Sequence, residues 1–257
     1  MVVNKPMIQN NTQRRCKNVI IFDIDETLGY FSQFSLVWKL INTLVCDKNK
    51  GLPTTQHFIN ILDIFPELIR PHMIDILKMC VLNQDEFSLE IMIYTNTQGG
   101  PEWSQLVANY FENAVDGLHF SRIINAFEIN GVRVEPTRTT NDKTYKDLLR
   151  TVKFPKGTKV CVVDDVYFDD LANEHVFYIN VKPFTFSFSP IVMSKRVTKH
   201  YPYINQHILR KKIEQLYSYN NITHYPKSKG AKEIDIIVSK RVISYLKEFF
   251  VEFCNVY

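Results

Sequence analysis

Apolar residues along the chain fall into a few short unbroken runs, separated by longer stretches with helical spacing. Lys17 to Asp23 reads as a strand buried on both faces, because Val19, Ile20, Ile21 and Phe22 follow one another with no polar alternation. Leu89 to Thr95, Lys159 to Asp164 and Val176 to Asn180 repeat the pattern. Tyr30 to Leu44 and Thr54 to Leu68 instead read as helices, the second with Phe58, Ile61, Leu62 and Phe65 on one face. Arg70-Pro71 breaks that stretch, and Pro71 suits the first turn of a helix running to about Leu82, with Met73, Ile76, Leu77 and Cys80 on one side. Thr97 to Gly100 reads as a turn, after which Pro101 opens a helix to about Ala114. Ile123 to Thr139 reads as a β-hairpin, because Asn130-Gly131 tolerates the positive φ of a tight turn. Thr144-x-x-Asp147 resembles a capping box for a helix to about Val152. Phe184 to Phe188 alternates aromatic and polar residues, which predicts an edge strand; the remaining C-terminal part predicts helices over 204–217 and 237–253.

Buried strands alternating with helices predict an α/β fold with a mainly parallel sheet. The stretch between Gly29 and Ile69 is too long for a strand–helix loop, so a small helical cap insertion is expected at about 30–69. The predicted layout is a flexible basic lead-in over 1–17, an α/β core over 18–194 carrying that cap, and a basic helical region over 195–257 packed on the core. A length of 257 residues suits such a unit.

Composition removes several classes of function. With 45% hydrophobic and 23% charged residues the chain resembles an ordinary globular protein. No apolar run reaches membrane-spanning length, and the N-terminus lacks the apolar centre of a signal peptide. The five cysteines are scattered with no Cys-x-x-Cys pair, which argues against a zinc site or disulfide framework and for an intracellular setting, cytoplasmic or nuclear. Heavy use of Asn, Ile and Lys fits an AT-rich genome, viral or protist. The net charge of +4 is unevenly placed: residues 195–257 hold 12 Lys or Arg against 5 Asp or Glu, which leaves 19 against 22 for the rest. Such a basic region either attracts phosphorylated or nucleic-acid partners or forms a solvated helical face.

The polar residues that end the buried runs carry the chemistry. In open parallel sheets, ligands bind beyond the carboxyl ends of the strands. Asp23 and Asp25 follow the first strand, Thr95 and Asn96 end the second, and Asp164 and Asp165 end the third. Lys143 stands just before the capped helix. Carboxylates about 4 Å apart repel by roughly 4 kcal/mol at an effective dielectric of 20, so their convergence calls for a cation. An all-oxygen set without thiolate or imidazole suits Mg²⁺. Asp23 is placed to attack phosphorus, and Asp25 to protonate a leaving oxygen and then deprotonate water. Thr95, Asn96 and Lys143 are expected to hold phosphate oxygens. Asp169 and Asp170 read as a surface loop or helix cap, Trp103 as core packing, and Arg70 and His72 as packing or positioning groups.

Asp23-Ile-Asp25-Glu-Thr27-Leu, the strand ending in Thr95, a lysine, and Val-Val-Asp164-Asp165 resemble, in order, the four motifs of the haloacid dehalogenase (HAD) superfamily. Phe22 to Leu28, Arg70-Pro-His72 and Ile93-Tyr-Thr95 are similar to the branch containing the small phosphatases of the RNA polymerase II C-terminal domain, also called NLI-interacting-factor-like. The resemblance covers about residues 17–182. It implies a Rossmann-like fold, Mg²⁺, an aspartyl-phosphate intermediate on Asp23 and an acid/base Asp25. It also implies metal ligation by the Asp23 side chain, the Asp25 main-chain carbonyl and Asp165, with Asp164 in support. That branch usually has Asp-Asn where this chain has Asp164-Asp165. The motif-three lysine is taken as Lys143, with Lys146 of Lys146-Asp147-Leu148 as the alternative.

The expected activity is therefore hydrolysis of a phosphomonoester, with a phosphoserine or phosphothreonine protein implied by the resemblance. A nucleotide or nucleic-acid end phosphate is the alternative raised by the basic C-terminal region. A HAD-like interaction protein without activity is the third reading.

Overall fold

The computed structural model describes residues 1–4, 18–46, 54–224 and 226–254. In chain order these form β1 (Val2–Asn4), β2 (Asn18–Phe22), α1 (Ser32–Cys46), α2 (Thr54–Leu62), α3 (Met73–Leu82), α4 (Gln84–Phe87), β3 (Leu89–Tyr94), α5 (Gly100–Ala114) and β4 (Phe120–Ile124). There follow a short hairpin of β5 (Glu128–Ile129) and β6 (Val132–Arg133), then α6 (Tyr145–Thr151), β7 (Lys159–Asp164), β8 (Val176–Asn180), α7 (Pro190–His200), α8 (Gln206–Tyr219) and α9 (Lys229–Phe249).

The protein is α/β. Its main sheet has the order β1-β8-β7-β2-β3-β4, parallel from β8 to β4, with β1 antiparallel at the edge. From the central β2 the chain builds outward to β3 and β4, then returns to the other flank for β7 and β8. A crevice is expected where such an order reverses, beyond the carboxyl ends of β2 and β7.

The unbroken apolar runs have a simple cause. Side chains alternate between the faces of a strand, and both faces of this sheet are covered. Ile20, Phe22, Ile91, Ile93, Cys161 and Val163 point into one core. Val19, Ile21, Met92, Tyr94, Val160 and Val162 point into the other. The first core is the larger and takes in α1, α2, α3, α5, α8 and α9. The second is closed by Leu148 of α6 and by Leu171 and Phe168 in the loop before β8.

The stretch expected to form a cap is helical and packs on the first core. Phe34, Val37, Trp38, Ile41 and Val45 make a stripe along α1. Phe58 of α2 meets the rings of Phe34 at 5.6 Å, Trp38 at 5.1 Å and Trp103 of α5 at 5.4 Å, all near-perpendicular. Trp103 is thus a core residue whose edge also reaches the cleft described below.

Several expectations need correction. The lead-in is not wholly a loose segment, since Val2–Asn4 pairs with β8; residues 5–17 lie outside those described. The hairpin expected over 123–139 is confined to β5 and β6, turning on Asn130 (φ 51°) and Gly131 (φ 75°). Its first arm was expected to include Ile123, which belongs instead to β4, the fifth parallel strand. Phe184 to Phe188 is not a strand. Its backbone is held by single contacts: the Phe184 N–H donates to the Glu26 carbonyl at 2.8 Å, and Gln33 exchanges two hydrogen bonds with the Phe188 backbone. The helix expected to begin at Pro71 begins at Met73, after a left-handed His72 (φ 60°). Among the described residues no helix is long and apolar enough to cross a membrane.

Candidate active site

The register of the sheet brings the strand ends together. Phe22 is level with Ile93 on one side and Val163 on the other. The Asp23 N–H still donates to the Val163 carbonyl at 3.0 Å, so Asp23, just past β2, lies beside Asp164, the last residue of β7. Carboxylate oxygens of Asp23, Asp164 and Asp165 lie within 4.8 Å of one another. Asp23 and Asp164 are buried, and Asp165 is half-buried.

Lys143 holds this cluster together. Its Nζ donates to Asp23 Oδ1 and to Asp164 Oδ2, each at 2.6 Å. It enters under the rings of Tyr94 and Phe168. It reaches the strand ends because α6 starts two residues later, with the Thr144 hydroxyl accepting from the Asp147 N–H at 3.0 Å as the cap. Lys146, the second residue of that helix, is exposed. The expected reciprocal half of a capping box is absent: the Asp147 carboxylate instead accepts from the Thr139 N–H and hydroxyl.

Burial works against the Lys143 ammonium, but Asp164 and Asp23 outweigh it and hold its pKa above the ordinary value. Burial pushes Asp164 up to about 7, against the pull of Lys143 and with that of Asp23. Asp25, beyond the strand end, is also pushed up to about 7. Burial is the main cause and Asp23 the next, and a hydrogen bond from the Thr97 side chain opposes them. Asp165 is raised by burial and by Asp23, while the Thr27 hydroxyl at 3.0 Å pulls it down.

The site holds an excess of carboxylates over its one buried ammonium, and its donor set is all oxygen. The described hydrogen bonds occupy one oxygen of Asp23 and one of Asp165, leaving a second on each. A triad of this kind fits a metal ion. The Asp25 carboxylate is not part of that triad.

Two buried arginines shape the loops that carry these groups. Arg70, expected as a positioning group, donates through Nε to the Thr27 carbonyl at 2.5 Å and through Nη2 to the carbonyls of Glu26 and Lys182, the latter at 2.9 Å. Glu26 takes a left-handed φ of 61°, so the chain after Asp25 turns back sharply, and Arg70 fixes that turn. Thr27 then both donates to Asp165 Oδ1 and accepts the Asp165 N–H, each at 3.0 Å. Arg138, which no sequence motif marks, donates to Asn96 Oδ1 at 2.7 Å and to the carbonyls of Thr95, Asn125, Asn141 and Asp142. It ties the end of β3 to the segment that presents Lys143. A lone arginine in a loop sequence carries no signal of this; the paired polar ends of strands do.

Thr95 is fully buried, and its hydroxyl oxygen accepts the Thr97 N–H at 3.1 Å, leaving its proton free to donate. Asn96 faces the same space. Asp169 and Asp170 are exposed and take no part in the triad. His72 is half-exposed and pairs with Asp75 at 3.0 Å. The carboxylates, Thr95, Asn96 and Lys143 line the floor of a cleft of about 1110 Å³, whose walls rise along α1 and α8.

No protein-family model matches the chain, and neither the curated proteins nor the solved structures compared with it give a match.

Proposed function

We propose that the chain is a Mg²⁺-dependent phosphomonoesterase of the HAD type, with Asp23 as nucleophile. The observation that carries this is the meeting of Asp23, Asp164 and Asp165 around Lys143 at one sheet edge, with a protonatable Asp25 beside them. A structural ion pair alone would not gather an excess of acids about one lysine on the floor of a large cleft.

Asp23, Asp164 and Asp165 would hold the metal. When bound, Mg²⁺ screens the negative charge of the phosphate and of the nucleophile. A carboxylate oxygen of Asp23 attacks phosphorus, and the bond from phosphorus to the ester oxygen breaks. Asp25 gives its proton to that oxygen, which leaves as the alcohol. A carboxyl with a pKa about 7 is about half protonated near neutral pH, so it can give this proton and later take one back. In the second half, Asp25 takes a proton from water, whose oxygen attacks phosphorus. The aspartyl–phosphate bond breaks, and Asp23 and inorganic phosphate are released. The Thr95 hydroxyl and Lys143 hold the equatorial oxygens through both steps.

Lys143 has a second effect. Bound to both Asp23 and Asp164, it fixes the position of the nucleophile's carboxylate beside its neighbour. The test is hydrolysis of an aryl phosphate, present with Mg²⁺ and abolished by EDTA; no hydrolysis under either condition refutes the proposal.

A further inference from the structure

The cleft is much larger than a phosphate needs. Its volume of about 1110 Å³ exceeds that of most small-ligand pockets, roughly 300 to 1,000 Å³. Beyond the acidic floor its lining continues along two helices. Ser32, Ser35, Leu36, Lys39 and Leu40 line it from α1 at the spacing of one helical face. Lys212, Gln215, Leu216 and Tyr219 line it from α8 in the same way. At 1.5 Å per residue these stripes run for about 10 to 12 Å, enough for two or three units of a polymer beyond the reacting phosphate.

The chemistry of the walls selects among polymers. Both walls are helices whose backbone groups are bonded along their own axes, so they offer no strand edge to a peptide main chain. Recognition must come from side chains. The charged ones are Lys39 and Lys212, both exposed and neither with a carboxylate partner among the described residues. Arg210, on the same helix, is by contrast neutralised by Glu214 at 2.7 Å. Beside these lysines stand aliphatic Leu36, Leu40 and Leu216 and the ring of Tyr219, which is 87% exposed. Unpaired cations alternating with flat or apolar surfaces match a chain of phosphodiesters and bases.

We propose, resting on the phosphatase reading above, that the substrate is the phosphorylated end of a single-stranded nucleic acid laid along α1 and α8. The terminal phosphate lies on the floor at Asp23, Lys39 and Lys212 meet the following phosphodiesters, and Tyr219 with Leu216 supports a base. The basic excess of residues 195–257 would draw such a chain toward the groove.

The full chain is assayed with Mg²⁺ on three substrates: short oligothymidylates phosphorylated at the 3′ or the 5′ end, a phosphoserine peptide, and an aryl phosphate. At least one oligonucleotide should exceed both other substrates in kcat/KM. The ratio of its kcat/KM to that of the aryl phosphate should fall about tenfold in Tyr219→Ala, the order expected for loss of one stacking contact. It should fall similarly in Lys39→Gln with Lys212→Gln, with a shallower salt dependence. Aryl phosphate turnover with no preference for the oligonucleotides, or a preference for the peptide, overturns the nucleic-acid proposal and leaves the phosphatase reading standing. If nothing is hydrolysed, the phosphatase reading falls and binding decides the groove. Salt-dependent binding of the phosphorylated oligothymidylates, weakened in the double Gln variant, then supports nucleic-acid binding along these helices while the substrate claim falls, and its absence overturns both.

Discussion

Arg70 donates to the Thr27 carbonyl, and Thr27 in turn bonds the backbone and side chain of Asp165. A residue just before α3 thereby sets the position of the carboxylate that follows β7. The same guanidinium lies over the Phe184 ring, whose other neighbour is Lys227, paired with the buried Asp235 of α9. The C-terminal helices are thus linked through packed groups to the loop that follows Asp23. Burial pushes the Arg70 guanidinium down to about 10, opposed by Asp165 and Asp235, so it stays charged in the neutral range.

Arg70→Lys should therefore weaken metal binding as well as the fold. A lysine cannot reproduce the fork that serves three carbonyls. Each charge-assisted hydrogen bond lost costs about 1.5 to 3 kcal/mol, so the urea midpoint should fall well below that of the wild type. Calorimetric titration at a temperature where the variant is folded should show weaker Mg²⁺ binding. Equal Mg²⁺ affinity would mean that Thr27 and Asp165 keep their places without Arg70.

Lys143 and Lys146 should behave oppositely. Lys143→Ala leaves Asp23 and Asp164 facing each other in a buried site, and breaking a buried pair from one side costs about 3 to 5 kcal/mol. Mg²⁺ should recover part of that loss, because it supplies the missing positive charge, while activity stays low. Lys146→Ala should change stability by no more than about 0.5 kcal/mol, as for other surface positions. Denaturant unfolding of both variants, with and without Mg²⁺, measures the contrast.

Much of this was readable in the chain. Strands buried on both faces announce themselves by unbroken apolar runs, and the polar residues ending them could be placed at one sheet edge. Other parts were not readable, for identifiable reasons. β4, Phe-Ser-Arg-Ile-Ile, lies at a sheet edge with Ser121 and Arg122 exposed, so it lacks the run that marks its neighbours. β1 is only three residues long and takes its stability from pairing with β8. Lys143 and Lys146 stand three residues apart, and only the fold shows that the first is buried against Asp23 and Asp164 and the second exposed. Arg138 acts through loop carbonyls brought together only by the fold.

The pH dependence of stability follows from the raised carboxyls. Asp25 moves from 3.8 in the unfolded chain to about 7 in the fold, chiefly by burial. Between those values the folded state binds the proton more tightly, so this contribution is largest below the unfolded pKa and is lost as pH rises through the folded one. In EDTA, the melting temperature should fall between about pH 5 and about pH 8, and less so in Asp25→Asn. Mg²⁺ should raise the melting temperature more at the higher pH. An identical pH profile in wild type and Asp25→Asn would show that Asp25 is not held protonated.

The most direct test of the central claim is covalent trapping. Wild-type protein mixed with an aryl phosphate and Mg²⁺, quenched in acid and analysed by mass spectrometry of its peptides, should carry phosphate on Asp23. Asp23→Asn should carry none and release no phenol. Phosphate on another residue, or undiminished phenol release by Asp23→Asn, would contradict the account.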